Sequence, residues 1–434
     1  MSTTPEKSGK PGHGLGGLTA VLRPEDCEPL APDVALSEAV RLGERLREQA
    51  IDDTDGLFWA GFVDVPGSGQ YQPYRLGLDL HSGSCGIALF LAALERVTGG
   101  VAGFRHLALE ALRPLRHVSA GGVRSTRELL RGLTIGGLTG VGSIIYSLTR
   151  ASLLLDEPEL IEDARLLITP LTPDGICEGA GFDVTDGAAG ALLGLLTLHE
   201  AADDLHALEL ARACGLYLLA GRERGAAGKR AWPTYEGRLL TGFSHGAAGI
   251  AYALVRLAAA TGDRSFLDAA AEATDYERSI YDTAAKNWPD YRTGDQRVFS
   301  AVWCHGAPGV GLARLGGLSL LDTPEIRTDI EAAMETTLRY ALRPSDHLCC
   351  GSFGMADILF TGGLILGRSQ LVIAARQRAS FVLERARESG AFILPDALPA
   401  DYASPGFFVG LSGIGYELLR LSFPEQLPSV LRFE

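Results

Sequence analysis

The sequence predicts an all-α fold: an α/α toroid, a double ring of seven inner and up to seven outer helices. Three observations carry this expectation. A Gly-x-x-Gly motif followed by an apolar run begins at Gly83, Gly137, Gly187, Gly246, Gly306, Gly351 and Gly410, with neighbouring copies 45 to 60 residues apart. Self-similarity at such a period marks a repeat architecture built from one supersecondary unit. More amphipathic segments follow several of the motifs, and runs of alternating β-branched and aromatic residues are scarce, so each unit reads as a helical hairpin.

In chain order, residues 1–35 read as a mostly flexible tail, polar and containing Pro and Gly to about Gly17, and residues 36–434 as one domain. Residues 87–94, 191–198 and 250–257 are apolar on most sides, as helices buried by neighbours must be, and form the inner ring. Thr261-Gly-Asp interrupts the chain before Phe266. Thr323-Pro324 starts a segment with Ile326, Ile330, Ala333, Thr337 and Leu338 on one face and Arg327, Asp329 and Glu331 off it; both segments are outer helices. An open solenoid would need polar end caps, yet residues 414–421 after the last motif are as apolar as the central copies, so the ring closes. Glycine, 54 of 434 residues, is about twice its usual ~7% share and serves tight turns and close helix approach at the helix entries. With all inner helices starting at one end, their positive dipole ends converge on a single mouth.

Composition narrows the function. A formal net charge of -14 argues against a broad basic surface for nucleic acid. The N-terminus lacks the basic and apolar regions of a signal peptide, and the uncharged stretch between Arg131 and Arg150 carries five glycines, so the chain reads as cytoplasmic with no transmembrane segment. Seven cysteines without regular short spacing read as reduced thiols.

The residues immediately before the motifs are Ser82, Gly136, Asp186, His245, His305, Cys350 and Val409, with Cys304 and Cys349 one position earlier. All belong to loops at the predicted mouth. Cys304, Cys349 and Cys350 offer three soft ligands from adjacent repeats. Thiolates select zinc, and three protein ligands leave a fourth tetrahedral position open, as catalytic sites do. Cys27, Cys85, Cys177 and Cys214 read instead as small buried hydrophobes. His245 is the candidate acid–base residue, and Asp183 either caps its own loop or orients His245 across the ring. His305 is left as a fourth ligand, a hydrogen-bond donor to a ligand, or a loop residue. Trp232, Trp288 and Trp303 read as packing. Two other classes remain open: a hydrolase or transferase using Asp183 and Asp186 or a metal-bound water, and a non-catalytic ring that binds thiols or peptides.

Four motifs then carry a resemblance. Ser244-His-Gly-Ala-Ala-Gly, Trp303-Cys-His-Gly-Ala-Pro-Gly, Cys349-Cys-Gly-Ser-Phe-Gly and Pro405-Gly-Phe-Phe-Val-Gly-Leu-Ser-Gly-Ile-Gly-Tyr together resemble the lanthionine synthetase C-like (LanC-like) cyclases, over residues 36–434. The resemblance implies an α/α toroid, a Zn2+ ion and formation of lanthionine thioether rings by adding peptide cysteines to dehydroalanine or dehydrobutyrine. It implies a dehydrated precursor peptide as substrate, and leaves two arrangements open: a cyclase that works with a separate dehydratase as partner, or an excised domain. Residue by residue it implies Cys304 and Cys349 as zinc ligands, Cys350 where the family often has histidine, and His245 with Asp183 as the active-site pair. Ser300 stands where stand-alone cyclases have an arginine, which leaves that residue's anion-stabilising role unfilled. The Cys-Cys-Gly form and Leu427-Pro-Ser-Val are more similar to the cyclase half of bifunctional class II synthetases.

Overall fold

Helix α1 (Pro32–Gln49) opens the chain's regular structure, ahead of two antiparallel hairpins, β1 (Ile51–Asp53) with β2 (Gly56–Phe58) and β3 (Ala60–Val65) with β4 (Gln70–Arg75). There follow α2 (Ser84–Thr98), α3 (Arg105–Ala120), α4 (Gly122–Leu130), α5 (Val141–Leu155), α6 (Glu159–Ile168), α7 (Ala188–Ala202) and α8 (Leu205–Ala220). A short hairpin, β5 (Glu223–Arg224) with β6 (Arg230–Ala231), precedes α9 (Ala247–Thr261), α10 (Arg264–Ile280), α11 (Ala307–Gly317), α12 (Pro324–Arg339), α13 (Ser352–Leu366), α14 (Ser369–Ser389) and α15 (Leu411–Ser422). This computed structural model describes residues 23–434 except 66–67, 69, 226–227, 293, 295–296 and 396–401.

Helices α2, α5, α7, α9, α11, α13 and α15 pack each on the next, and α15 packs on α2, so the inner ring is closed. The apolar runs explain the placement: every residue of α13 from Ser352 to Gly363 is buried, which only a helix covered on all sides achieves. Helices α3, α6, α8, α10, α12 and α14 each lie against the inner helix that precedes them, and the seventh outer position is taken by α1, packed on α15. A helix from the far end of the chain therefore seals the ring. Helix α4 lies outside the double ring, against α3 and α6.

Three outer helices, α8, α10 and α12, start on side-chain caps. Asp204, Asp263 and Thr323 accept from the amides of Ala207, Ser265 and Ile326, which satisfies donors that a helix start leaves open. Along α12, Ile326, Ile330, Ala333 and Thr337 are buried as the pattern requires, but Leu338 is exposed. Asp329, placed off that face by the sequence pattern, is buried because Arg278 and Arg314 pair with it. The last residues fill the ring from the end opposite the mouth. Leu431, Arg432, Phe433 and Glu434 present backbone carbonyls to Trp303 Nε1 (3.2 Å), Tyr252 Oη (2.9 Å), Thr197 Oγ1 (3.2 Å) and Tyr146 Oη (3.1 Å), and Phe433 is fully buried.

Three expectations need correction or narrowing. The packed body starts before residue 36: Cys27 and Leu30 are buried, the Leu30 amide donates to the Arg376 carbonyl (3.2 Å), and α1 begins at Pro32, a residue pre-set for the first helical turn. Residues 1–22 of the expected tail lie outside the described residues. The second repeat starts at Gly140 rather than Gly137, because α5 is capped by Gly140 and Ser143 stands where the other copies have their second glycine. The small hairpins are strands that short, exposed sequences did not announce.

Candidate metal centre

Each inner helix is capped at its start by a glycine, at positions 83, 140, 187, 246, 306, 351 and 410. Six of these have extended backbone, whereas Gly306 has φ +83°, and a Cβ there would run into the Ser300 carbonyl oxygen. Only glycine fits that entry. It delivers Cys304 and His305 to the mouth.

Two residues before the capping glycines stand His81, Leu138, Thr185, Ser244, Cys304, Cys349 and Phe408. Their backbones form a chain of hydrogen bonds around the mouth. The Phe408 amide donates to His81 O (2.8 Å), His81 to Leu138 O (3.0 Å), Leu138 to Thr185 O (3.1 Å), Thr185 to Ser244 O (3.3 Å), Ser244 to Cys304 O (3.4 Å) and Cys349 to Phe408 O (3.0 Å). Six of the seven junctions are joined in this way. Between the Cys304 loop and the Cys349 loop there is no backbone bond among the described residues, and the thiols occupy that junction.

The sulfurs of Cys304 and Cys350 are 3.2 Å apart, those of Cys350 and Cys349 3.4 Å, and all three lie within 4.8 Å of one another. All seven cysteines are free, so the adjacent pair at 349 and 350 is not a disulfide. Tetrahedral zinc at ~2.3 Å from each sulfur separates the sulfurs by roughly 3.8 Å, so the cluster fits a metal after opening by a few tenths of an ångström. Hydrogen bonds with Cys304 and Cys349 push the Cys350 thiol down, whereas bonds with Cys304 and Cys350, then burial, push Cys349 up. One sulfur is thereby favoured as thiolate between two thiols, a soft anionic donor set. Cys304 is buried, while Cys349 and Cys350 are half-buried.

The loops that carry these sulfurs are held from outside the mouth. Asn287 Oδ1 accepts from the Ala307 amide (2.7 Å) and its Nδ2 donates to Ser300 O (3.0 Å), fixing the Cys304 loop. Glu277 Oε1, on α10, accepts from the amides of Gly242 (3.1 Å) and Ala248 (3.0 Å), fixing the loop of His245. Burial raises the Glu277 carboxyl, and Arg314 opposes that rise through a 2.7 Å pair.

His245 Nδ1 lies 2.7 Å from Asp183 Oδ2. Asp183 makes contacts in both of the directions its sequence position allowed, because its other oxygen, Oδ1, accepts from the Asp186 amide (2.8 Å) of its own loop. Asp186 is engaged with the Thr139 hydroxyl, so the two aspartates do not form a facing carboxylate pair. An imidazole anchored through Nδ1 leaves Nε2 for proton transfer, and the side chain is 21% exposed at the mouth.

His305 stacks on His245 with ring centres 6.0 Å apart. It lies outside the sulfur group, is fully buried and, among the described residues, has no hydrogen-bond partner for either ring nitrogen. Burial, then the nearby Arg292 charge, pushes its pKa down to about 4. Burial alone would raise Asp290, but hydrogen bonds from Arg292 hold that carboxyl below its usual range. The structure adds mouth residues that sequence reading passed over. His81 and His347 are pushed down by burial, and His347 Nδ1 contacts Phe408 O (3.1 Å). His81 was within reach of the sequence, since it shares the register of Cys304 and Cys349. Trp232, Trp288 and Trp303 are buried packing residues as expected, with Trp303 between Phe243 and Phe408 at 5.3 and 5.1 Å. A cavity of about 560 Å³ lined by Leu78, His117 and Leu129 shares no residue with the sulfur cluster. No helix among the described residues is long and apolar enough to cross a membrane.

Comparison with known proteins bears on the fold and the family. Among solved structures the chain is similar to nisin cyclase, at 18% identity and a TM-score of 0.59 over 92% of this chain and 96% of that one. It is also similar to a GH76 alpha-mannanase from Bacteroides thetaiotaomicron, at 12% identity and a TM-score of 0.49 over 91% and 99% of the two chains. The likeness to nisin cyclase is one of fold. The profile of the family described as "Lanthionine synthetase C-like protein" matches residues 74–432, and the chain belongs to that family.

Proposed function

We propose that the protein is a zinc-dependent lanthipeptide cyclase, which adds cysteine thiols of a dehydrated precursor peptide to dehydroalanine or dehydrobutyrine to form lanthionine or methyllanthionine. The observation that carries this reading is the meeting of Cys304, Cys349 and Cys350 at one point of a chain in this family. Those three sulfurs would hold the metal, and Zn2+ bound there would lower the pKa of a peptide thiol, ordinarily ~8.5, so that the thiolate forms at neutral pH.

The remaining chemistry falls to the protein's own side chains. The thiolate sulfur bonds to the β-carbon, the C=C pair moves towards the carbonyl oxygen as an enolate, and a proton must reach the α-carbon. His245 Nε2 is the proton donor in this reading, because Asp183 holds the other nitrogen and fixes the ring. Buried Phe243, Trp303 and Phe408 limit water near the sulfurs. A cytoplasmic location and a separate dehydratase that supplies the substrate complete the proposal.

The test is turnover. A dehydrated peptide containing cysteine, incubated with protein, loses free thiols counted by alkylation and mass, and a chelator stops the loss. Cys304→Ala is expected to lose stoichiometric zinc and at least about 100-fold in rate. An active, fully metallated variant would remove the site, and a wild type that binds peptide without consuming thiols would make the ring a binding scaffold.

A further inference from the structure

We propose that the thiol site has a second function: metal bound across Cys304, Cys349 and Cys350 fastens the mouth of the ring, in place of the one junction bond that the backbone lacks. This rests on metal binding at the proposed site and is independent of turnover.

The geometry at the junction is specific. Cys304 gives its carbonyl to Ser244 on one side, and Cys349 gives its amide to Phe408 on the other. Each cysteine is thus tied to the neighbour away from the gap. The two flanking loops are also held separately: Asn287 grips the first through Ala307 and Ser300, while Asp346 grips the second through the Ile393 amide (2.7 Å) and Arg385. Among the described residues, the polar contacts that cross between the loops are sulfur to sulfur, Cys304 to Cys350 and to Cys349. A cation bound by sulfurs of both loops joins the junction. Below the mouth α11 still packs directly on α13, so this effect is confined to the loops.

A ligand that binds only the closed arrangement stabilises it by mass action, and the effect is local when the rest of the ring holds itself. Hydrogen exchange of the full-length protein, zinc-loaded and chelated, reads this directly. With zinc, peptides spanning residues 300–311 and 345–355 exchange at least about 10-fold more slowly, while those holding His81, Leu138, Thr185 and Ser244 change by less than about 3-fold. His245→Ala keeps this zinc response, although the proposed chemistry stops. Equal exchange with and without zinc, a uniform change at all seven junctions, or no zinc binding would overturn the fastening role. Zinc-dependent protection without cyclisation leaves the fastener standing and removes the cyclase reading; cyclisation without local protection does the reverse.

Discussion

His245 and His305 hold the same place on adjacent repeats, one residue before the capping glycine, and their rings stack at 6.0 Å with 24° between planes. Each faces an aspartate. At His245 the contact is a hydrogen bond of 2.7 Å to Asp183 in a partly open setting. At His305 the nearest Asp290 oxygen is 3.8 Å away, because Arg292 occupies both Asp290 oxygens. Register therefore brings an imidazole to the mouth, and the hydrogen-bond partner decides what it can do there. Asp183 splits its oxygens between loop and imidazole, whereas Asp290 is spent on Arg292.

The sharpest way to break this comparison is to remove the two rings in turn. His245→Ala should lower the cyclisation rate by about 10²–10⁴-fold with zinc content unchanged, the range expected for a general acid–base residue. Equal losses in a His305 variant would erase the distinction. Asp183→Asn is a finer probe, since asparagine can still accept the Asp186 amide at Oδ1 but carries no charge for His245. A loss of about 10–100-fold, with the fold and zinc intact, separates orientation from loop capping. Should Asp183→Asn match wild type, the 2.7 Å contact is merely structural.

His305→Leu should act on stability rather than rate, with less than about a 3-fold change in cyclisation. His305 is buried neutral, with a folded pKa of about 4 against ~6.5 for an unfolded chain. A depressed folded value means that the unfolded state takes up protons first as pH falls. The stability associated with neutral His305 is present above pH ~6.5 and is lost as pH falls towards about 4, roughly 3 kcal/mol in all. Urea unfolding of metal-free wild type and His305→Leu at pH 7 and pH 4.5 measures the difference, and parallel pH dependences would contradict it.

The same contrast describes what the sequence made legible. The ring was readable because a glycine that must lie against backbone leaves a fixed mark: a Cβ on Gly309 would strike the Trp303 carbonyl, so the motif recurs wherever an inner helix starts. It misled at the second repeat, where Ser143 donates to Gly140 O (2.6 Å) in the place of that glycine. The closing helix α1 was partly hidden in the expected tail, since Pro32 reads equally as a loop residue until its packing on α15 is seen. The sulfurs and His245 were readable from register alone. The Asp290–Arg292 pair and His347 were not, because loops fold them to the mouth with no periodicity to announce it.

The central claim is that three cysteine sulfurs hold a metal whose remaining position takes a peptide thiol. Zinc-edge X-ray absorption on the loaded protein tests it most directly. The account predicts three sulfurs at ~2.3 Å and one lighter ligand without peptide, becoming four sulfurs when a cysteine-containing dehydrated peptide is added. A sulfur count that stays the same on adding peptide, or zinc held mainly by nitrogen and oxygen, would contradict it.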